Sequence, residues 1–326
     1  MRDQFGRRID YLRISVTDKC NLRCAYCMPV EGLPWIPRAD ILTYEEVTEI
    51  VRQMADLGLR RVRITGGEPL VRRDLPILVN QLRTVDGIKD LSLSTNGILL
   101  SGMAADLKAA GIHRLNISLD TLRRERFADL ARRPERFYDD TMAGIAAAES
   151  AGFQPLKINV VVMRGFNDDE LTDFADMTRR RPWHVRFIEL MPTEDNLFLS
   201  DKFVSADELL GRLREDTELE PVRGPHGNGP AQYFKLAGGI GTVGVITPLS
   251  HNYCDTCNRM RLTADGRLRT CLFGTHEVDL KTPLRATGSI VAAVTEALEG
   301  KPERHFLRIG TASGSGGLSA LSQVGG

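Results

Sequence analysis

Three features of the sequence predict an α/β fold with a parallel sheet. Short β-type runs alternate with helix-type runs between residues 11 and 215. Apolar residues in the longer runs recur at helical spacing, and capping or turn residues separate the runs. Strand-helix-strand units in series require right-handed crossovers, which produce parallel neighbours. The series contains six units, too few for an eight-fold barrel. The expectation is a partial (βα)6, TIM-like barrel, with a doubly wound open sheet as the rival.

The elements follow in order. Tyr11 to Val16 is the first strand. Thr43 to Gly58 is a helix: Val47, Ile50, Val51, Met54 and Leu57 share one face, Thr43 and Glu46 form a capping box, and Gly58 stops it. Val62 to Thr65 is a strand, followed by a helix over Leu75 to Thr84. Leu91 to Ser94 and a helix near Met103 to Ala110 come next, then Leu115 to Leu119 and a long Ala-rich helix ending at Gly152. Lys157 to Met163 is the fifth strand, and Asn167 with Glu170 reads as the start of its helix. Val185 to Leu190 is the sixth, and Ser205 with Glu208 opens another helix.

The texture changes after residue 220. Gly224 to Gly229 is a turn-rich linker, Gln232 to Leu236 and Gly241 to Ile246 are short strands, and a helix lies near Ser289 to Leu298. The last stretch, Gly310 to Gly326, holds six Gly and four Ser and reads as a flexible tail. Two regions are expected, a barrel over 1–220 and a C-terminal region over 221–326.

Composition limits the function classes. The 326 residues include 43 basic and 43 acidic side chains, so the formal charge is zero and a broadly basic nucleic-acid binder is disfavoured. Any anion site must be a local cluster. The densest apolar run, Ile158 to Met163, is strand-sized, far short of the ~18–20 residues of a membrane span. The charged start, Met1 to Arg8, has no apolar signal core. These features predict a soluble, cytoplasmic protein in a reducing compartment, so the six cysteines need an explanation other than disulfides.

The cysteines fall into two triplets. Cys20, Cys24 and Cys27 are spaced C-x3-C-x2-C after the first strand; Cys254 and Cys257 form C-x2-C, with Cys271 following. Such spacing suits zinc or an iron–sulfur cluster. Structural zinc wants four closed ligands, which His251 or His276 could complete at the second triplet. Three thiolates on a four-iron cube instead leave one iron open to an outside ligand, which suits redox catalysis.

Cys20-Asn21-Leu22-Arg23-Cys24-Ala25-Tyr26-Cys27 resembles the cluster motif of the radical S-adenosylmethionine (SAM) superfamily, and Gly66-Gly67-Glu68-Pro69 resembles its methionine-binding motif. Arg13-Ile14-Ser15-Val16-Thr17-Asp18, Ser94-Thr95-Asn96-Gly97, Arg186-Phe187-Ile188-Glu189-Leu190-Met191, Cys254-Asp255-Thr256-Cys257-Asn258-Arg259-Met260-Arg261 and the closing Gly325-Gly326 are similar to segments of the MoaA family, the GTP 3′,8-cyclases of molybdenum cofactor biosynthesis. The likeness runs from about residue 3 to 326.

This resemblance implies a lyase with two [4Fe–4S] clusters and SAM. The first cluster would sit on Cys20, Cys24 and Cys27, with SAM on its open iron and Tyr26, Gly67, Glu68, Ser118 and Met191 around it. The second would sit on Cys254, Cys257 and Cys271 and hold the guanine of GTP. Arg13, Arg63, Ser94, Lys157, Arg259, Met260 and Arg261 match positions lining the GTP site, with Ser94 standing where the family has threonine. A 5′-deoxyadenosyl radical would take hydrogen from ribose C3′, C3′ would bond to C8, and one further electron and one proton would then give (8S)-3′,8-cyclo-7,8-dihydroguanosine 5′-triphosphate. No side chain is implied as catalytic beyond the cluster and SAM, with Arg259 and Arg261 in support. The implied partners are an external one-electron reductant, a second copy of the chain, and cyclic pyranopterin monophosphate synthase downstream.

Position along the strands agrees with the list. Arg13, Arg63 and Lys157 lie at strand starts or middles, so they must point into a barrel interior. Cations there call for a buried anion, such as a triphosphate. The blander alternatives are surface arginines, a solvated Lys157 and a core Met191. Two rival functions stand beside this one: another radical SAM enzyme with an auxiliary cluster, such as a peptide-modifying maturase, or a zinc-containing binding module on a vestigial barrel.

Overall fold

A computed structural model describes residues 1–192, 199–224 and 229–305. The predicted Gly310–Gly326 tail, with Gly325-Gly326, and positions 225–228 of the linker lie outside the described residues. Six parallel strands stand side by side in chain order: β1 (Tyr11–Ser15), β2 (Arg61–Thr65), β3 (Asp90–Thr95), β4 (Arg114–Ser118), β5 (Lys157–Val162) and β6 (His184–Glu189). The crossovers carry α1 (Tyr44–Asp56), α2 (Leu75–Arg83), α3 (Ala104–Ala110), α4 (Arg124–Ala131), α5 (Arg136–Ser150) and α6 (Leu171–Arg180), and α7 (Ala206–Asp216) follows β6. The sheet does not close, so the partial (βα)6 barrel stands. No helix among the described residues is long and apolar enough to cross a membrane.

Side-chain caps start α1 and α7. Thr43 Oγ1 accepts from Glu46 N while Glu46 caps Thr43 N, the predicted box. Ser205 Oγ accepts from Glu208 N and starts α7. Two expectations are corrected. The stretch ending at Gly152 is preceded by a separate helix, because Arg132 ends α4 in a left-handed conformation (φ 51°) and Pro134 follows. Asn167 and Glu170 do not start α6, which begins at Leu171. Asn167 Nδ2 donates instead to Asp120 O (2.6 Å) and Val161 O (2.9 Å), and Glu170 accepts from Thr121 Oγ1 (2.7 Å) and Leu122 N (2.6 Å). These two side chains stitch neighbouring strand ends together.

The C-terminal third completes both sheet edges. β7 (Leu219–Val222), β8 (Gln232–Leu236) and β9 (Thr242–Ile246) form a meander whose last strand lies parallel to β6. β10 (Arg259–Leu262) lies parallel to β1, with antiparallel β11 (Arg267–Arg269) and β12 (Glu277–Asp279) beyond it. Helices α8 (Lys281–Thr287) and α9 (Val291–Glu299) follow. The segment from 247 to 258, which carries Cys254 and Cys257, therefore crosses from one edge of the sheet to the other.

Strand alternation separates the two faces of the sheet. Leu12, Ile14, Val62, Ile64, Leu93, Ile117, Ile158, Val185 and Phe187 are fully buried and join one apolar cluster with the helices. Each such side chain contributes about 2 kcal/mol on burial. The alternate positions are polar: Arg13, Arg63, Ser92, Ser94, Asn116, Lys157, Asn159, His184 and Arg186. Lys157, His184, Arg186, Asn116 and Ser92 are nonetheless buried. The barrel is apolar outside, under its helices, and polar within.

Candidate active site

The first triplet follows β1 and lines a hollow at the carboxyl ends of β1–β4. Cys20, Cys24, Tyr26 and Cys27 share it with Gly66, Gly67, Glu68, Ser94, Ser118 and Asp120. The two glycines permit this approach. A Cβ on Gly67 would lie 2.4 Å from Lys19 O and 2.6 Å from Asp18 O, and one on Gly66 would lie 2.6 Å from Thr17 O. Without side chains, Gly67 N donates to Thr17 O (2.7 Å) and Glu68 N to Lys19 O (2.8 Å), locking the two loops together.

Glu68 is fixed at the hollow's wall. Its carboxylate accepts from Thr95 Oγ1 (2.7 Å), Asn96 N (2.7 Å) and Leu70 N (3.1 Å), and burial pushes it up to about 7. An ammonium group arriving here restores its charge. Tyr26 O–H donates to Asp120 (2.8 Å), whose other oxygen accepts from Val161 N (2.8 Å); burial pushes Asp120 up to about 6. Asp120 was not a sequence-predicted site residue, and its own position offers no motif. Met191 lies just past β6, half-buried, and is not among the described residues lining this hollow.

The donor set fits an iron–sulfur core. Burial, then the Glu68 charge, pushes the Cys20 thiol up to about 11, and burial raises Cys24 well above its ordinary range. Cys20 and Cys24 sit beside Cys27 where burial disfavours their thiolates, and an iron core would supply the compensating positive charge.

The second triplet lines a hollow with Tyr253, Arg259, Arg261, Phe273 and His305. Cys257 and Asn258 immediately precede β10, and Asn258 O accepts from Tyr11 N (3.2 Å) at the start of β1. The two triplets thus approach β1 from opposite ends. Neither histidine expected to complete a zinc site lines this hollow. His251 bonds Asp207 at 3.0 Å on the surface, and the His276 ring packs against Gly300. His305 is the histidine that does line it; lying 34 positions beyond Cys271, it carried no spacing signal. Burial pushes the Cys257 thiol up, but Lys301, then Arg259, outweigh that and hold it below its ordinary range.

A basic inner face joins the two hollows. Arg261, Arg13, Arg63 and Ser92 stand in one cross-strand row. Lys157 pairs in register with Asn116 and His184, and Arg186 with Asn159 and Gly244. Arg63 Nε reaches Ser92 Oγ (3.4 Å) and its guanidinium lies 5.5 Å from the Tyr11 ring centre. Arg186 Nη2 donates to Asn116 Oδ1 (2.6 Å), while Arg186 Nε and Asn159 Oδ1 are buried without a partner. Burial pushes Arg186 and Arg261 down to about 10, and lowers Arg13 well below its ordinary value with Arg261 and Arg63 adding to the effect. The inward placement of Arg13, Arg63 and Lys157 is therefore observed. Met260 differs from its neighbours. Alternation turns it away from Arg259 and Arg261 into the apolar core, where it is 1% exposed. Arg186 was missed as a binding candidate, although its in-register partner Asn159 sits two residues after Lys157 and the same alternation turns all three inward.

Burial, then Arg186, Arg114 and Arg63, push Lys157 down to about 7. Its native value lies below the unfolded one of 10.5, so between pH 7 and 10.5 the unfolded chain holds a proton that the folded chain lacks. Stability of the ligand-free protein should therefore rise with pH, by about 2 kcal/mol from pH 7 to 9. Urea midpoints across that range test this, and Lys157→Met should flatten the rise; an unchanged slope in the variant assigns it elsewhere.

The comparisons agree with this geometry. The Radical SAM superfamily profile matches residues 14–178, and the Molybdenum Cofactor Synthesis C profile matches residues 183–307. The chain is similar to SuiB of Streptococcus suis bound to its precursor peptide SuiA, with a TM-score of 0.58 at 17% identity over 82% of this chain and 60% of that one. It is also similar to the [FeFe]-hydrogenase maturase HydG, with a TM-score of 0.51 at 18% identity over 64% of this chain and 50% of that one. At such identities the likeness speaks for the barrel alone. Sequence relatives reach further. The GTP 3′,8-cyclase of Moorella thermoacetica is 46% identical over 100% of both chains. That of Heliobacterium modesticaldum is 49% identical over 94% of this chain and 95% of its own. A radical SAM barrel continuing into a molybdenum-cofactor C-terminal region, alike from end to end, places the chain in the GTP 3′,8-cyclase (MoaA) family of the radical SAM superfamily.

Proposed function

We propose that the chain converts GTP to (8S)-3′,8-cyclo-7,8-dihydroguanosine 5′-triphosphate, the first step of molybdopterin synthesis. The observation that carries this is the buried basic face running between two cysteine hollows. Buried arginines repel one another and lose hydration, so they require a polyanion, and a triphosphate matches them in charge and donor geometry. Cys20, Cys24 and Cys27 would hold a cluster that would supply the electron for reductive cleavage of SAM, the source of the radical that abstracts hydrogen from ribose C3′.

The side chains then have distinct tasks. Glu68 receives the methionine ammonium of SAM. Gly67 lies beside it, and Tyr26, braced by Asp120, completes the SAM site with Ser118 and Met191. Arg13, Arg63, Lys157 and Arg186 hold the triphosphate, and Ser94 contributes a hydroxyl. Arg259 and Arg261 fix the nucleotide beside the second triplet, which we read as the ligand set of a second [4Fe–4S] cluster that holds the guanine. Held at both ends, GTP presents C3′ in one reactive geometry. In this reading residues 1–220 carry SAM chemistry and residues 221–326 hold the substrate's base. The division is one of task, since a single sheet runs through both regions. An external one-electron reductant, a homodimer, a cytoplasmic location and delivery of product to cyclic pyranopterin monophosphate synthase complete it.

The test incubates anaerobically reconstituted protein with SAM, a strong reductant and each nucleoside triphosphate in turn. GTP alone should stimulate 5′-deoxyadenosine release and be consumed. SAM cleavage indifferent to the nucleotide would leave the superfamily standing and remove the substrate.

A further inference from the structure

We propose that the Lys301 ammonium is the charge-compensating and positioning group of the second iron–sulfur site, holding its ligand segments and raising its reduction potential. This rests on the reading of Cys254, Cys257 and Cys271 as cluster ligands. Lys301 is 2% exposed, just beyond α9. A buried ammonium is tolerated only when its charge and its three N–H donors are satisfied. Here Nζ donates to Thr270 O, to Arg259 O (3.1 Å) and to Cys257 Sγ (3.8 Å). Three acceptors match an ammonium; a neutral amine has only two N–H groups.

The acceptors are not arbitrary. Thr270 directly precedes Cys271, and Arg259 stands two residues after Cys257. One side chain therefore ties both cysteine-bearing segments and touches a ligand sulfur. Arg259 and Arg261 also line the hollow, and Arg7 is already neutralised. Arg7 Nε is paired with Asp3 (2.6 Å), and its remaining donors go to Cys254 O (2.9 Å), Glu303 O (2.7 Å) and Pro302 O (2.7 Å). Arg7 braces the backbone at Cys254, and Lys301 is the cation whose ammonium donates to a ligand sulfur, Cys257 Sγ. Three thiolates exceed the charge of an oxidised four-iron core by one, and reduction adds another negative charge. A cation hydrogen-bonded to a ligand sulfur favours the reduced state.

The experiment compares Lys301→Met and Lys301→Arg in a protein whose first site has been removed by Cys20→Ala, Cys24→Ala and Cys27→Ala. Iron and sulfide content and an EPR-monitored redox titration are read for each. Lys301→Met should lower the midpoint by about 59 mV, a tenfold shift of the one-electron equilibrium, while Lys301→Arg stays near the parent. If Lys301→Met loses the cluster outright, retention of cluster and potential by Lys301→Arg supports the proposal. Equal loss in both variants, or a midpoint unmoved in Lys301→Met, overturns it. A parent that assembles no cluster sinks the cluster reading itself, a result distinguishable from failure at Lys301.

Discussion

Replacing Arg186 by methionine should stabilise the ligand-free protein and weaken GTP binding about a hundredfold. The two effects have opposite signs because one buried charge causes both. Arg186 is 4% exposed; burial, opposed by Tyr233 and reinforced by Arg63, pushes it down to about 10. Space for it is made by Gly244, where a Cβ would lie 3.0 Å from Arg186 Cγ. Exchanging buried charge for an apolar side chain of similar length relieves roughly 1–4 kcal/mol. The vacated Asn116 Oδ1 returns about 1 kcal/mol of that. A net gain near 1 kcal/mol raises the melting temperature by about 2 °C in a chain of this size. The triphosphate meanwhile loses charge-assisted hydrogen bonds together worth about 3 kcal/mol. Thermal melts and calorimetric GTP titration decide the matter. A lower melting temperature with unchanged affinity would make Arg186 a structural strut.

Cys24→Ala should abolish SAM cleavage, whereas Cys254→Ala should spare it and remove its dependence on GTP. Both hollows have three thiols, so losing one strips a ligand from a site with none to spare. The Cys24 backbone carbonyl accepts from Cys27 N (2.9 Å) and Met28 N (3.2 Å), and Cys20 and Cys27 are the other two cysteines that line this hollow. Electron delivery to SAM then stops, and 5′-deoxyadenosine release should fall by at least about a thousandfold, on the order of 4 kcal/mol in barrier. Cys254→Ala leaves that hollow untouched. Each variant should retain roughly half of the parent iron. The measurements are iron content and 5′-deoxyadenosine with and without GTP. Residual GTP-stimulated cleavage in Cys254→Ala would remove the second triplet from substrate binding.

The reach of the sequence followed the range of the interactions. The six barrel strands and most of their helices were readable because their signals are local: a capping box at Thr43, apolar spacing along α1, alternation in β5. The inward cations were readable because Arg13, Arg63 and Lys157 sit too early in their strands to reach a carboxyl-end site. β10, β11 and β12 escaped notice because RMRL, RLR and EVD are short and charged and owe their pairing to distant partners. Asn167 and Glu170 imitate a helix start, yet their hydrogen bonds go to Asp120, Val161, Thr121 and Leu122. Met260 shares its neighbours' motif, but alternation turns its side chain to the apolar side of the sheet. His305 and Lys301 come near Cys257 and Cys271 only through the packing after α9.

The sheet has a chronology. β1 is among the first elements made, but its outer partner β10 follows almost the whole chain; the Asn258–Asp10 hydrogen bond (2.9 Å) spans 248 residues. β6 waits for β9 in the same way. A nascent chain emerging as far as residue 220 therefore holds a finished first metal loop between two bare parallel edges. Such edges pair readily with other chains. The C-terminal third acts, during synthesis, as the seal that ends this exposure, so truncation there should cost solubility as well as substrate recognition.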